Sequence, residues 1–239
     1  MREIIKVRVG SHCHGTNMPN SDTDIRTVFI PTKDYFLGLK TLEMTEEKQD
    51  GKDIEHWNIV KLIRLCLKGN PTALNVLFVR KVDQLYKDEW GQRIYDVRNE
   101  FLSKRTVSAI IGYCVSQIHK LTIGRGAKEG KRLVMIEKYG YDVKFCYHAV
   151  MLTNIGIELV KTGDYRPYRS VNEQDYLRSI RRGEVPLEDA RHQIEENLKT
   201  IKTIEAICKL PKDPDENKLN EWLTNYLWEY YTLNPTQCG

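Results

Sequence analysis

Asp22 and Asp24 follow a Val9-Gly10-Ser11 step after an interval of ten residues. Alternate residues on a strand share a face, so these two carboxylates project together, roughly 7 Å apart along the backbone. Like charges held side by side repel unless a cation sits between them, and hard oxygen donors suit Mg²⁺. Gly10 allows close approach of backbone to ligand. Ser11 offers a hydroxyl and an amide to a phosphate, the more so if a helix starts there. A third carboxylate from a neighbouring strand would complete a site for two Mg²⁺ ions, with Mn²⁺ an alternative, of the kind that clamps an in-line phosphoryl displacement. Asp53 and Glu55 are the candidates and share one face. Asp53 is preferred because it stands where its strand enters the sheet edge; Glu55 is the alternative.

The elements that must position these residues can be read from periodicity. Ile4–Val9 alternates apolar and basic residues as a strand, residues 22–30 form a second strand ended by Pro31, and residues 53–57 a third. Residues 46–52 read as a charged connection turning at Asp50-Gly51. Beyond Trp57 the pattern is helical. Lys61, Arg64 and Lys68 form the wet face of one helix, Gly69 stops it, and Asn70-Pro71 opens the next. Trp90, Ile94, Val97 and Phe101 predict one helix, and Val107 to Leu121 another. Residues 122–140 break the rhythm, with three glycines among Arg125, Lys128, Lys131 and Arg132. Helices resume near Asp142. Ser170 and Glu173 make a capping-box pair, a long helix covers residues 187–210, and an aromatic helix closes the described pattern. The expected fold class is α+β: a small mixed sheet with helices over residues 1–104, then a helical domain over 105–239.

The pattern of Gly-Ser, an interval, then Asp-x-Asp resembles the signature of DNA polymerase β superfamily nucleotidyltransferases. Within that superfamily, residues 10–17 and 21–22 resemble the RNA ligase-associated polymerases of RNA repair. Lys68-Gly69-Asn70-Pro71, Tyr139-Gly140-Tyr141-Asp142 with Lys144 and His148, and Arg181-Arg182-Gly183-Glu184 extend the resemblance over about residues 7–190. It implies catalysis and metal binding by Asp22, Asp24 and Asp53, and nucleotide binding by Gly10, Ser11, Lys131, Lys144 and His148. It also implies NTP as substrate, an RNA acceptor and a functional link to an RNA ligase; the glycine-rich basic loop itself offers Arg125, Lys128 and Arg132 to the acceptor backbone, with a solvated connection as the ordinary alternative. The sequence departs from the family pattern at Met151, where an Arg is usual, and at Asn75, where a Glu is common. Transfer to a protein hydroxyl and non-catalytic RNA binding are the competing readings. A second basic cluster, Arg166, Arg169, Arg178, Arg181 and Arg182, is the reserve candidate for the acceptor.

Composition narrows the classes. The hydrophobic fraction is 41% and the charged fraction 29%, which excludes a wholly disordered chain. The net charge of +4 permits an anionic partner without demanding one. No uninterrupted apolar stretch approaches the length of a membrane span, and residues 1–9 lack a signal-peptide hydrophobic region. The expectation is a cytoplasmic protein without a membrane partner. The six cysteines are scattered and read as free thiols. His12-Cys13-His14 lacks a second pair at zinc-ligand spacing; its histidines are candidates to line the nucleotide pocket.

Overall fold

The computed structural model describes residues 1–39, 46–49, 52–122 and 131–234. Strands β1 (Arg2–Arg8), β2 (Thr23–Ile30), β3 (Glu46–Gln49), β4 (Lys52–Asn58) and β5 (Gln84–Lys87) form one mixed sheet in the order β3-β4-β2-β1-β5. β1 is antiparallel to both β2 and β5, β2 is parallel to β4, and β3 is antiparallel to β4. The parallel β2–β4 pair needs a crossover, and the short helix α2 (Asp34–Leu37) lies on it. Glu46–Gln49 is therefore a strand within the stretch read as a charged connection; the turn expected at Asp50-Gly51 lies outside the described residues.

The first helix, α1 (Gly10–His14), follows β1 directly. α3 (Ile59–Leu67) and α4 (Pro71–Phe78) start on asparagines, with Asn58 accepting from the Lys61 amide and Asn70 from the Ala73 amide. α5 (Glu89–Asp96) ends earlier than its apolar stripe suggested, and Arg98–Phe101 continues as a 3-10 turn that buries Phe101. α6 (Lys104–Thr122), α7 (Lys131–Tyr139), α8 (Val143–Thr162), α9 (Val171–Arg181), α10 (Leu187–Glu205) and α11 (Glu216–Leu233) complete the chain. The Ser170–Glu173 capping box opens α9 as expected. β5 and α7 were not anticipated. β5 has four residues with a mixed burial pattern, too short for alternation to declare it. α7 adjoins the glycine-rich stretch that hides its start.

α8 is the axis of the helical half and packs against α6, α9 and α10. It is long and apolar enough by composition to cross a membrane, yet most of that window is buried inside this fold. The fold is α+β. One contiguous hydrophobic core runs from Ile4 in β1 to Tyr230 in α11 and passes across residue 104. Each fully buried Leu or Ile in it contributes about 1.5–3 kcal/mol relative to exposure. The five cysteines among the described residues are free thiols, four of them buried; Cys238 lies outside those residues.

Candidate active site

The parallel register of β2 and β4 sets Asp24 beside Asp53, Arg26 beside Glu55 and Val28 beside Trp57. These pairs alternate with others facing away, so all six side chains lie on one face of the sheet. Asp22 stands just ahead of β2, exposed, as is Asp53, while Asp24 is half-buried. Burial pushes the Asp24 carboxyl above its ordinary range, the charges of Asp53 and Asp22 push it further, and Lys144 and Arg26 pull it back. The sequence-predicted residues Asp22, Asp24, Asp53 and Lys144 thus act on one another electrostatically, although they come from β2, β4 and α8.

Gly10 belongs to the same corner. Its φ is +60°, and a Cβ there would stand 1.8 Å from Asp24 Oδ2. Only glycine both adopts this conformation easily and leaves room for the carboxylate. The Val9 amide donates to the Asp24 carbonyl at 2.8 Å, fixing the start of α1 against β2. Ser11 follows on the first turn, half-buried.

Glu55 is engaged differently. Burial pushes its carboxyl up, but the hydrogen bond and charge of Arg26, aided by Trp57 and Lys61, hold it below the usual range. Arg26 forms an ion pair with it, and Trp57 Nε1 donates to it at 3.0 Å. Among the described residues no three His, Cys, Asp or Glu side chains gather as a ready-made ligand set. The donor chemistry nonetheless fits a hard cation: oxygen ligands only, around an Asp24 carboxyl raised by burial and by the neighbouring charges of Asp53 and Asp22.

Behind α1 lies a brace that sequence reasoning missed. Arg178 donates to the Gly15 carbonyl at 2.6 Å and Arg181 to the Thr16 carbonyl at 2.9 Å. Thr16 Oγ1 and the Tyr147 hydroxyl are 2.5 Å apart, and the Arg181 guanidinium lies 5.4 Å from the Tyr147 ring centre. Burial pushes the Tyr147 hydroxyl up to about 12. Gly15 has φ +74°, and a Cβ there would strike Gln174 and Tyr168. His14 does not line a pocket: it is buried, burial pushes it down to about 4, and its Nδ1 donates to the Pro167 carbonyl at 2.9 Å. The Arg-Arg-Gly-Glu run was the available signal for this brace. Its first arginine holds Thr16, and its second pairs with Glu184 at 2.6 Å.

Lys144 occupies the first turn of α8, capped by Asp142, which accepts from the Lys144 and Phe145 amides at 3.0 and 3.2 Å. His148 is one turn further, half-buried, its ring 4.8 Å from that of Tyr147. Lys131 and Arg132 lie in α7, but their side chains, like Arg125 and Lys128 altogether, fall outside the described residues. The reserve arginine cluster is committed to internal contacts: Arg166 pairs with Asp164 and Glu158, Arg169 is buried between Glu158 and Glu173, and Arg178 pairs with Asp175. Met151 and Asn75 are buried, the latter accepting from the Tyr165 hydroxyl at 3.0 Å.

Residues 2–225 match the RNA repair pathway DNA polymerase beta family. The chain belongs to that family. This family member is also similar to an uncharacterized 38.9 kDa protein from the nrdC-mobD intergenic region of Enterobacteria phage T4. The two are 25% identical over 211 residues, which are 82% of this chain and 54% of the phage protein. The chain therefore spans about half the length of that relative. The uncharacterized protein YcgL of Bacillus subtilis (strain 168) is 32% identical over 76 residues, 31% of this chain and 29% of that protein. A crystal structure of a nucleotidyltransferase-like protein from Exiguobacterium sibiricum 255-15 aligns with 85% of this chain and 69% of its own. Its TM-score is 0.31 and its sequence identity 10%. The family member's later motif blocks act as struts: Tyr139 lies under Gly183, the Tyr141 hydroxyl donates to the Val185 carbonyl at 2.6 Å, and Asp142 caps α8.

Proposed function

We propose that this chain is a template-independent RNA nucleotidyltransferase that transfers a nucleoside monophosphate from an NTP to an RNA 3′-hydroxyl. The observation that carries the reading is the side-by-side placement of Asp24 and Asp53 next to Gly10, within the electrostatic reach of Asp22 and Lys144. A bond forms between the acceptor oxygen and the α-phosphorus. The bond from that phosphorus to the bridging oxygen breaks, pyrophosphate leaves with the electron pair, and the acceptor proton passes to water.

Asp22, Asp24 and Asp53 would hold two Mg²⁺ ions, with Mn²⁺ able to replace them; such ions make the acceptor hydroxyl more acidic and neutralise the triphosphate. Glu55 is the weaker candidate for this set because Arg26 and Trp57 already engage its carboxylate. Ser11 presents its hydroxyl and amide to a phosphate. Lys144 adds positive charge beside Asp24, and Lys131 and His148 complete the nucleotide contacts. Arg125, Lys128 and Arg132 would meet the acceptor backbone, since phosphate contacts position a strand without reading its sequence. An enzyme that extends a 3′ end prepares it for sealing, which is the link to an RNA ligase.

The test is incubation of the purified chain with Mg²⁺, each labelled NTP, tRNA and a cell lysate. The expected outcome is label in RNA at the 3′ end, lost with EDTA. Label confined to protein bands would reject the RNA acceptor in favour of a protein hydroxyl.

A further inference from the structure

α3 begins at Asn58, immediately after β4, and packs back over β2 and β4. It runs back along both strands, and just beyond its end the Pro71 carbonyl accepts from the Tyr165 hydroxyl at 3.2 Å. The helix therefore climbs from the far end of β4 toward the Asp24–Asp53 edge. Its wet face carries Lys61, Arg64 and Lys68, and residues 59–67 include no acid. Arg64 and Lys68 are exposed, and among the described residues neither has an ion-pair partner. Lys61 leans on the ring of Trp57, in the strand that carries Asp53, at 4.7 Å.

The helix's own energetics do not ask for this stripe. Cations spaced three and four residues apart repel by about 0.2–0.5 kcal/mol per pair. The macrodipole favours Arg64 and Lys68 in or just beyond the last turn, but it disfavours Lys61 in the first. The wet faces of α9 and α10 show the ordinary alternative, with signs mixed: Arg178 pairs with Asp175, Arg191 with Glu195 and Lys199 with Glu196. From Lys61 to Lys68 the stripe rises about 10 Å, longer than one phosphate needs and suited to successive phosphates of a strand. It ends where Gly69 abuts Arg105 and Thr106, and there Arg105 is neutralised by Asp213 and Glu216.

We propose that the wet face of α3 is a track for the backbone of a single-stranded RNA, leading its 3′ end to the Asp24–Asp53 edge. The inference rests on the RNA-acceptor reading above. It adds a binding surface distinct from the basic loop, built on a rigid helix. Each phosphate contact releases counterions, so binding must weaken with salt in proportion to the number of contacts.

The experiment uses the full chain and a fluorescent single-stranded RNA oligonucleotide, with affinity measured at four or more salt concentrations. Wild type is compared with R64Q/K68Q and with K199Q/K202Q, which removes the same charge from α10. At about 0.7 per single-strand contact, R64Q/K68Q should lower the salt slope by about 1.4, with an unchanged melting temperature and unchanged NTP binding. K199Q/K202Q should keep the wild-type slope. A wild-type slope in R64Q/K68Q overturns the track and leaves the RNA acceptor standing. An equal fall in both variants also overturns it, because net charge alone would then be at work. Absence of RNA binding by wild type overturns the track and the RNA acceptor together.

Discussion

At the N-terminal end of α8, Lys144 stands near Asp24, whose carboxyl is raised first by burial and then by the charges of Asp53 and Asp22, with Lys144 and Arg26 pulling it back. Along the same helix, about 21 Å of rise further on, Glu158 accepts an ion pair from Arg169 at 2.6 Å and another from Arg166 at 3.3 Å. Arg169 has a side-chain exposure of 3% and also meets Glu173 at 3.4 Å. One end concentrates like charge at a half-open edge; the other balances a buried cation between two acids. The first arrangement stores repulsion that a ligand can relieve, and the second spends its electrostatics on joining α8 to α9. A carboxyl raised by burial beside like charges, at a half-open edge, is the kind of group that clusters at functional sites.

Substitutions at the two ends should separate activity from stability. Asp24→Asn should reduce nucleotide incorporation at least about a thousandfold, roughly 4 kcal/mol of transition-state stabilisation. It should not lower the melting temperature, because it removes repulsion with Asp53 and Asp22. Activity within about tenfold of wild type, or a clear loss of stability, would break the contrast. Asp53→Ala should behave like Asp24→Asn. Glu55→Ala should retain more activity but cost stability, about 1–2 kcal/mol, since it leaves Arg26 buried without its carboxylate. The reverse ranking in single-turnover assays and melting curves would move the third carboxylate to Glu55.

At the other end, Arg169→Met should cost about 2–4 kcal/mol in a denaturant titration, because the network loses the buried cation that joins Glu158 to Glu173 while its acids keep partial access to water. Incorporation per folded molecule should change little. The smallest effect is expected at Glu173. Burial raises its carboxyl, but the Ser170 hydrogen bonds and the Arg169 charge bring it below the ordinary glutamate range. A carboxyl lowered in the folded state adds stability above its unfolded value, and that stability is lost as pH falls through the folded value. Glu173→Gln should therefore cost less than about 1 kcal/mol at neutral pH, given screening by solvent, and the gap to wild type should close in acid. A gap that persists below both values would mean that packing, not charge, is at stake.

Much of the local structure was legible. Asn58, Asn70, Asp142 and Ser170 cap the helices they precede, because a short polar side chain can satisfy a free amide one turn ahead. Asp22 and Asp24 were readable because strand alternation fixes their common face. The preference for Asp53 over Glu55 drew on where a strand enters the sheet, but the contrast between the two depends on register. Only the β2–β4 pairing sets Asp53 against Asp24 and Glu55 against Arg26. The brace was illegible for the same reason on a larger scale. Nothing local to Arg178 or Arg181 announces that their partners are the carbonyls of Gly15 and Thr16. His14 and Arg169 looked chemical in sequence, and the structure buries both in internal contacts that no local pattern announces.

That brace has a consequence for how the chain comes into being. Thr16 is tied to Arg181 across 165 residues and Pro31 to Tyr231 across 200. Closing such long loops must precede the contacts that reward it, so these ties form late in folding. During synthesis from the N-terminus, Asp22, Asp24 and Asp53 emerge while the partners that steady α1 are still unmade. A nascent chain therefore carries its acidic residues before it can hold Ser11 and the Gly15–Thr16 turn in place. On the proposed function, competence for nucleotidyl transfer should be deferred until α9 has docked, and a chain ending before Arg181 is expected to show no incorporation.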